Sequence, residues 1–341
     1  MLNGDISTRR VENYFTGTIK EIYENGNWMA DSTESLNGLN GEIYTEREWV
    51  LEEHLYNLYQ AKIPMVENEK FCKRNMYRFT YKDLKSRTVF YPVNCYLVRS
   101  EQEQEPIFEE QKRLCFEMPE ESGESYQAYG LKLNTEQENF LKYIRGEEQE
   151  PAWGEDCFSE CMKALDLSDP EVNKITDAGW EPLLAERKRQ IQEKDLQLPE
   201  NFDPEMKKLA IEITKDATND YDKAVAIQNY LKENNIYCKD VAKPPEGMDA
   251  VSYFLFESRE GYCTHFASAM TLLCRAAGIP ARYVEGIYCN YEKKEENKYL
   301  ILGSDAHAWT EVYIENFGFL TFDATPGYDA TYADWEKHER K

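Results

Sequence analysis

No run within the 341 residues reaches the roughly 20 apolar positions that a helix needs to cross a bilayer, and no apolar signal-peptide core follows Met1. Two expectations follow: a cytoplasmic protein, or the water-soluble part of one whose membrane anchors lie in segments absent from this sequence. Basic charge is also short, with 40 Lys and Arg against 64 Asp and Glu and a formal net charge of −24. Such a surface disfavours nucleic acid and anionic lipid, since neither phosphate backbone nor headgroup meets a basic patch. It suits basic substrates such as lysine-rich proteins. Histidine is scarce, with four in the chain. The nine cysteines follow no regular disulfide framework, and an odd count leaves at least one thiol unpaired in a monomer. Cys157 and Cys161 are four apart with no second pair or histidine near them, so no zinc is expected. No other ligand cluster suggests a metal, and nothing calls for a cofactor.

What is present divides the chain in three. Residues 1–133 read as a β-rich, sandwich-like domain: Asn25-Gly26 separates two short runs as a hairpin turn would, and Tyr77, Phe79 and Tyr81 alternate with polar neighbours. Leu114, Phe116 and Met118 alternate in the same way, as do Tyr129, Leu131 and Leu133. Within this domain a helix is expected over 45–61, where Thr45 and Glu48 form a capping box. Residues 134–197 are charged and helix-prone, a helical connector with a second capping box at Thr135 and Glu138. Pro199 and Pro204 punctuate the boundary to a domain over 198–341, where helices come first and antiparallel strands after. The fold class is therefore α+β.

The helix expected at 263–277 has a cysteine in its first turn. Cys263, Phe266, Ala267, Met270, Cys274 and Ala277 follow spacings of three and four, and Gly278 and Pro280 end the helix. Cys263 thus faces inward at the N-terminal end. There, unpartnered N–H groups and the positive end of the helix dipole favour a thiolate and lower the thiol pKa. Alone, this reads more readily as core filler, since buried cysteines are common. A nucleophilic cysteine needs a base, and the base an orienting group. His54 lies on the N-terminal helix, His338 in a charged tail, and His265 two residues from Cys263 on another side of its helix. His307 remains, at the start of a probable strand, and Asp323 is a carboxylate among apolar residues on the next one. Cysteine on a helix start, then histidine and aspartate on successive strands, is the order of a thiol protease.

Here the residues resemble a known family. "GYCTHFASAMTLLCRAAGIPARYVEG", "DAHAWTEVYI" and "FDATP" look like the three signature blocks, in order, of the transglutaminase-like superfamily. The resemblance runs from about Leu198 to Tyr328 and implies a papain-like core, helices packed on an antiparallel sheet, with a β-rich region before it. It is strongest to bacterial membrane-anchored transglutaminase-like proteins, in which this domain lies outside the cytoplasm. It also implies that Cys263, His307 and Asp323 are a catalytic triad acting through a thioester. The expected reaction is acyl transfer or hydrolysis on protein or peptide amides, with glutamine side chains the first choice of substrate. Peptidase or deamidase action needs the same triad and stays open. A non-catalytic cell-surface binding or scaffold protein is the rival of another class. Tyr262 and Trp309 flank the triad and are candidates for lining the acyl site.

One geometric condition follows from alternation along strands. His307 and Asp323 share a face only if the hairpin between them has an odd loop, such as Glu315, Asn316 and Phe317, or a bulge near Gly318.

Overall fold

The computed structural model describes residues 2–4, 14–24, 26–29, 72–82, 85–93, 95–104, 106–108, 113–133, 141–142, 144–146, 180–289, 294–295, 298–315 and 317–328. The helix expected at 45–61, both capping boxes, Leu131 and Leu133 as side chains, His54, His338, Cys157 and Cys161 lie outside them.

The chain opens with short strands β1 (Leu2–Gly4), β2 (Tyr14–Lys20), β3 (Ile22–Glu24) and β4 (Asn27–Met29). The last two form the expected hairpin, Ile22 opposite Met29, with Gly26 at φ +79° in the turn. Then come β5 (Cys72–Thr80), β6 (Ser86–Thr88), β7 (Tyr91–Pro92), β8 (Cys95–Ser100), β9 (Pro106–Phe108), β10 (Leu114–Glu120) and β11 (Ser125–Leu133). Tyr77, Phe79 and Tyr81 are buried as their alternation requires; Met118 is 65% exposed and breaks the alternation of β10, which buries Leu114, Cys115 and Phe116 in a row.

Helices α1 (Trp180–Asp195), α2 (Pro204–Thr214) and α3 (Asp220–Asn234) follow. Capping explains where the last two begin: the Asp203 carboxylate accepts from Glu205 N–H, with Pro204 at the first position, and Asn219 accepts from Asp222 N–H. Beyond β12 (Ile236–Tyr237), Asp249 caps the turn α4 (Ala250–Ser252), which widens into a π-helix over Tyr253–Ser258. After β13 (Glu260–Gly261) comes α5 (Cys263–Ala276). The remaining strands are β14 (Ala281–Tyr288), β15 (Lys294–Glu295), β16 (Lys298–Tyr299), β17 (Ala306–Ile314) and β18 (Gly318–Phe322).

Helix α5 is the centre of the C-terminal half. Its end is fixed by Gly278, at φ +81°: Ile279 N–H donates to Cys274 C=O and Gly278 N–H to Arg275 C=O, which satisfies carbonyls the helix leaves open. Every residue from Phe266 to Arg275 is buried. One inner face was expected; α5 is instead covered all round, by α2 and α3 on one side and by β14 and β17 on the other.

The three-part division of the sequence does not survive as separate sheets. The sheet under α5 runs β18-β17-β14-β2-β7, so its fourth and fifth strands come from the first hundred residues. Conversely, β16 pairs with β1 at the margin of the N-terminal sheet, and Cys289 and Tyr299 join the cluster of Phe15, Tyr77, Phe79, Phe116 and Tyr126. Hydrophobic pattern marks strands but not which sheet receives them.

Buried Arg275 ties the same pieces together from the end of α5. Its Nε donates to Ala281 C=O at 2.7 Å, and its Nη1 to Glu21 C=O at 2.6 Å and Gln197 C=O at 2.8 Å; Asp195 lies 3.8 Å from Nη2. Replacing Arg275 by Leu strands two buried carbonyls, a part-buried one and the Asp195 charge. Urea unfolding should show a loss of roughly 3 kcal/mol or more, with a matching loss of N-terminal and C-terminal structure in one transition.

Candidate active site

The hairpin β17–β18 has the odd register. Ile314 opposes Gly318, leaving three residues between them, and Gly318 sits at φ +77° where a three-residue loop places a glycine. Thr310 opposes Phe322, so Asp323, one residue past β18, shares a face with Trp309 and His307. His307 Nε2 and Asp323 Oδ2 are 2.6 Å apart, with side-chain exposures of 2% and 1%.

The body of α5 packs on the other face. Thr310 Oγ1 donates to Ala267 C=O at 3.0 Å and meets Thr271 Oγ1 at 3.0 Å, while Ala308 packs with Ala267. Since Ala267 is level with Ala308 and Thr310, Cys263, one helical turn earlier, is level with the start of β17. That is where His307 lies, and the Cys263 thiol interacts with its imidazole. Cys263 is half-buried, whereas Cys274 on the same helix is fully buried and burial pushes its thiol pKa far up. Of the two thiols on α5, only Cys263 is placed to react.

The start of α5 needs Gly261. A Cβ there would lie 2.7 Å from His265 Cβ and 2.8 Å from Phe254 Cε2. His265 is turned to its own backbone, its Nδ1 accepting from Tyr262 N–H at 3.4 Å, and burial holds its pKa down. It is a helix-start residue and takes no part with His307.

Opposing influences set the charge of His307. Burial lowers its pKa; the charge of Asp323, the hydrogen bond to it, and then the Cys263 thiol raise it, and the net result is about 9. The ring is boxed in by aromatics. Tyr328 stacks on it at 4.0 Å and 15°, Trp309 at 6.5 Å and 20°, and Tyr288 and Tyr14 lie at 5.9 and 6.1 Å. Faces of this kind favour an imidazolium. Asp323 is held as firmly: Oδ2 also accepts from Tyr14 O–H at 2.8 Å, Oδ1 accepts from Thr325 N–H at 2.8 Å, and its own N–H donates to Gln228 Oε1 at 3.1 Å.

The structure thus brings Cys263, His307 and Asp323 together and sorts the two flanking aromatics. Tyr262 is half-buried at the N-cap position of α5, edge-on to His265, beside the thiol. Trp309 does not line a cleft. It is 1% exposed, packed with Tyr14, Ile19 and Val284, and its indole N–H points to Glu311 at 3.4 Å. Position 309 turns inward with His307, so Trp309 backs the imidazole from within the core. Gly286, opposite His307, keeps room for it: a Cβ there would lie 2.1 Å from Phe15 C=O and 2.7 Å from the Trp309 ring. Tyr14, Tyr288 and Tyr328 were not singled out from the sequence. Tyr14 lies 309 positions from Asp323 and carries no local signal. No group of His, Cys, Asp and Glu among the described residues could hold a metal ion.

With this geometry in hand, similarity to known proteins gives the class. Residues 207–324 match the model of the Transglutaminase-like superfamily. The chain is 40% identical over 139 residues to the uncharacterized protein YebA of Bacillus subtilis (strain 168), covering 39% of this chain and 19% of that protein. It is 39% identical over 135 residues to a protein-glutamine gamma-glutamyltransferase of Pseudomonas aeruginosa, covering 39% of this chain and 20% of that protein. The chain therefore spans about a fifth of the length of these curated relatives. Its fold is that of the periplasmic domain of TgpA from Pseudomonas aeruginosa, with a TM-score of 0.54 at 17% identity over 95% of this chain and 85% of that one. That match extends well beyond the core, so the α+β architecture with its β-rich N-terminal part is common to both. No helix among the described residues is long and apolar enough to cross a membrane.

The pH dependence of stability follows from His307. Its proton affinity is higher folded than unfolded, so the contribution is fully present below the unfolded value of about 6.5 and is lost as pH rises through about 9. Urea unfolding should show a decline on the order of 3 kcal/mol across that window. In His307→Gln this part of the decline should vanish; an unchanged slope would place its origin elsewhere.

Proposed function

We propose that the protein is a thiol-dependent enzyme that attacks protein or peptide amides, with Cys263 as nucleophile, His307 as acid and base, and Asp323 as the group that orients His307. The observation that carries this reading is the alignment of a half-exposed thiol, a buried imidazole of raised proton affinity and a buried carboxylate on the imidazole's far nitrogen.

The Cys263 thiolate attacks the carbon of a side-chain or backbone amide. The C=O electron pair moves to oxygen, and Cys263 N–H, in the first helical turn, is placed to stabilise the oxyanion. His307, with Nε2 given to Asp323, hands the proton of its other nitrogen to the leaving amine. Ammonia departs if the substrate is a glutamine side chain, and a thioester remains. A second amine, or water, then adds to the thioester carbon while His307 accepts its proton. Collapse gives the new amide or the acid and restores the thiolate. Transfer, deamidation and peptide cleavage share these steps.

Glutamine side chains are our first choice because a relative 39% identical over the core is named a protein-glutamine gamma-glutamyltransferase. The net charge of −24 suits lysine-rich protein partners and not nucleic acid. Likeness in fold to a periplasmic domain supports a site of action outside the cytoplasm.

Incubation with glutamine-containing peptides, with and without a primary amine, should give a mass gain of one amine less ammonia, or of one deamidation. Cys263→Ala should abolish both while leaving the unfolding midpoint nearly unchanged; turnover in that variant would end the thiol mechanism. Cys274→Ser should do the reverse, costing about 1 to 3 kcal/mol of stability by burying a hydroxyl with alkylation of Cys263 unaltered. Asp323→Asn should keep a residual rate, lowered by as much as roughly 10⁴-fold.

A further inference from the structure

The Asp323 carboxylate is held by three donors from three places in the chain. Thr325 N–H, two residues away, binds Oδ1 at 2.8 Å, a contact any aspartate turn can make. His307 binds Oδ2 at 2.6 Å. The third donor is the hydroxyl of Tyr14, 2% exposed, which gives its proton to that same Oδ2 at 2.8 Å.

Nothing local forces a tyrosine into this place. Tyr14 begins β2, which pairs antiparallel with β14 so that Tyr14 opposes Tyr288, after a register shift at Glu285 and Gly286. The shift puts Tyr14 on the face that carries His307, Trp309 and Asp323. Its ring stands edge-on to Tyr288 and Trp309, each at 5.1 Å, so the hydroxyl direction is set by packing. Two hydrogen bonds converging on Oδ2, with Thr325 on Oδ1, fix the torsion of the carboxylate and hence the direction in which it pulls on the imidazole.

We propose that Tyr14 is a positioning residue of the reaction centre, acting through Asp323 on His307, and that the centre is completed by a strand from the N-terminal end of the chain. The proposal rests on the roles given above to Cys263, His307 and Asp323. A plain core tyrosine would contribute only packing and one satisfied hydroxyl. The two roles differ in what they do to His307. Tyr14 O–H draws off part of the charge on Oδ2 that faces the imidazole. Without it, Asp323 attracts the imidazolium more strongly and aims less well. The other titratable or charged groups around the pair are Cys263 from α5, Tyr288 from β14, Tyr328 after β18, and Glu311 on β17, which is occupied by Arg282 at 2.6 Å; α3 contributes only neutral Gln228.

Tyr14→Phe removes the hydroxyl and keeps the ring. The titration of His307, followed by NMR and assigned by its loss in His307→Gln, should move to higher pH. Turnover of a glutamine peptide should fall about tenfold in kcat, the scale of one hydrogen bond to a charged group, with KM nearly unchanged. 3-Fluorotyrosine at position 14, a stronger donor of nearly the same shape, should move the His307 midpoint the opposite way; it also serves if Tyr14→Phe fails to fold. A variant with a lowered unfolding midpoint but wild-type titration and kcat would overturn the proposal. So would 3-fluorotyrosine without effect on the titration. The titration needs no substrate, so it separates this inference from the mechanism: turnover surviving in Cys263→Ala would refute the thiol reading and leave the Tyr14–Asp323–His307 linkage to be judged by NMR.

Discussion

A buried ion pair between His307 and Asp323 is the constraint around which the C-terminal half is arranged. Neither group could be charged at such depth alone, since an isolated buried charge is strongly disfavoured. Together, 2.6 Å apart and supplied with further donors on the carboxylate and aromatic faces on the imidazole, they keep the proton between them up to about pH 9. The odd loop at 315–317, the left-handed Gly318 and the missing side chain of Gly286 each serve this contact. The first two bring position 323 onto the face of position 307; the third leaves room for Trp309 behind the ring.

Contacts cross the boundary expected near residue 198 at several places. Asp323 is held in part by Tyr14, the sheet that carries His307 includes β2 and β7, and Arg275 at the far end of α5 binds the Glu21 and Gln197 carbonyls. The N-terminal residues form a wall of the candidate site and most of a second core, which Cys289 and Tyr299 complete. Trp28 shows the point from another side: it comes from the β3–β4 hairpin, stacks on Tyr283 at 5.1 Å and donates to Ser268 on α5 at 2.8 Å.

Residues close in sequence were legible. The helix end at Gly278, the Asn25-Gly26 hairpin and the parity of the 314–318 turn all follow from interactions within a few positions. The candidate nucleophile, base and orienting acid were legible because each stands at a fixed place on its own element and within a recognisable block. What required the structure was pairing between distant strands. Trp309 illustrates the limit. Alternation along β17 puts it on the face of His307, but whether that face opens to solvent or is sealed depends on β2, nearly 300 residues away, whose Tyr14 and Ile19 close over it. The π-helical widening at 253–258 and the burial of α5 on all sides belong to the same category, since both are decided by neighbours and not by local periodicity.

The sealing of that face bears on the chemistry. In the mechanism proposed above, an imidazole works best if its plane does not swing, and here Tyr328 stacks on the ring at 4.0 Å while Trp309 lies near-parallel at 6.5 Å. Trp309 is in turn fixed by Glu311, whose charge is met by Arg282 at 2.6 Å and by Thr16 Oγ1 at 3.3 Å. Thr16 and Tyr14 are alternate residues of one strand, so β2 reaches the clamp by two routes, through Asp323 and through Glu311. A displacement of β2 would loosen both the carboxylate and the indole behind His307. The rigidity of the candidate site therefore resides in the sheet that crosses the sequence from end to end, while Cys263, at the tip of α5 and half-buried, is the least enclosed of the three residues.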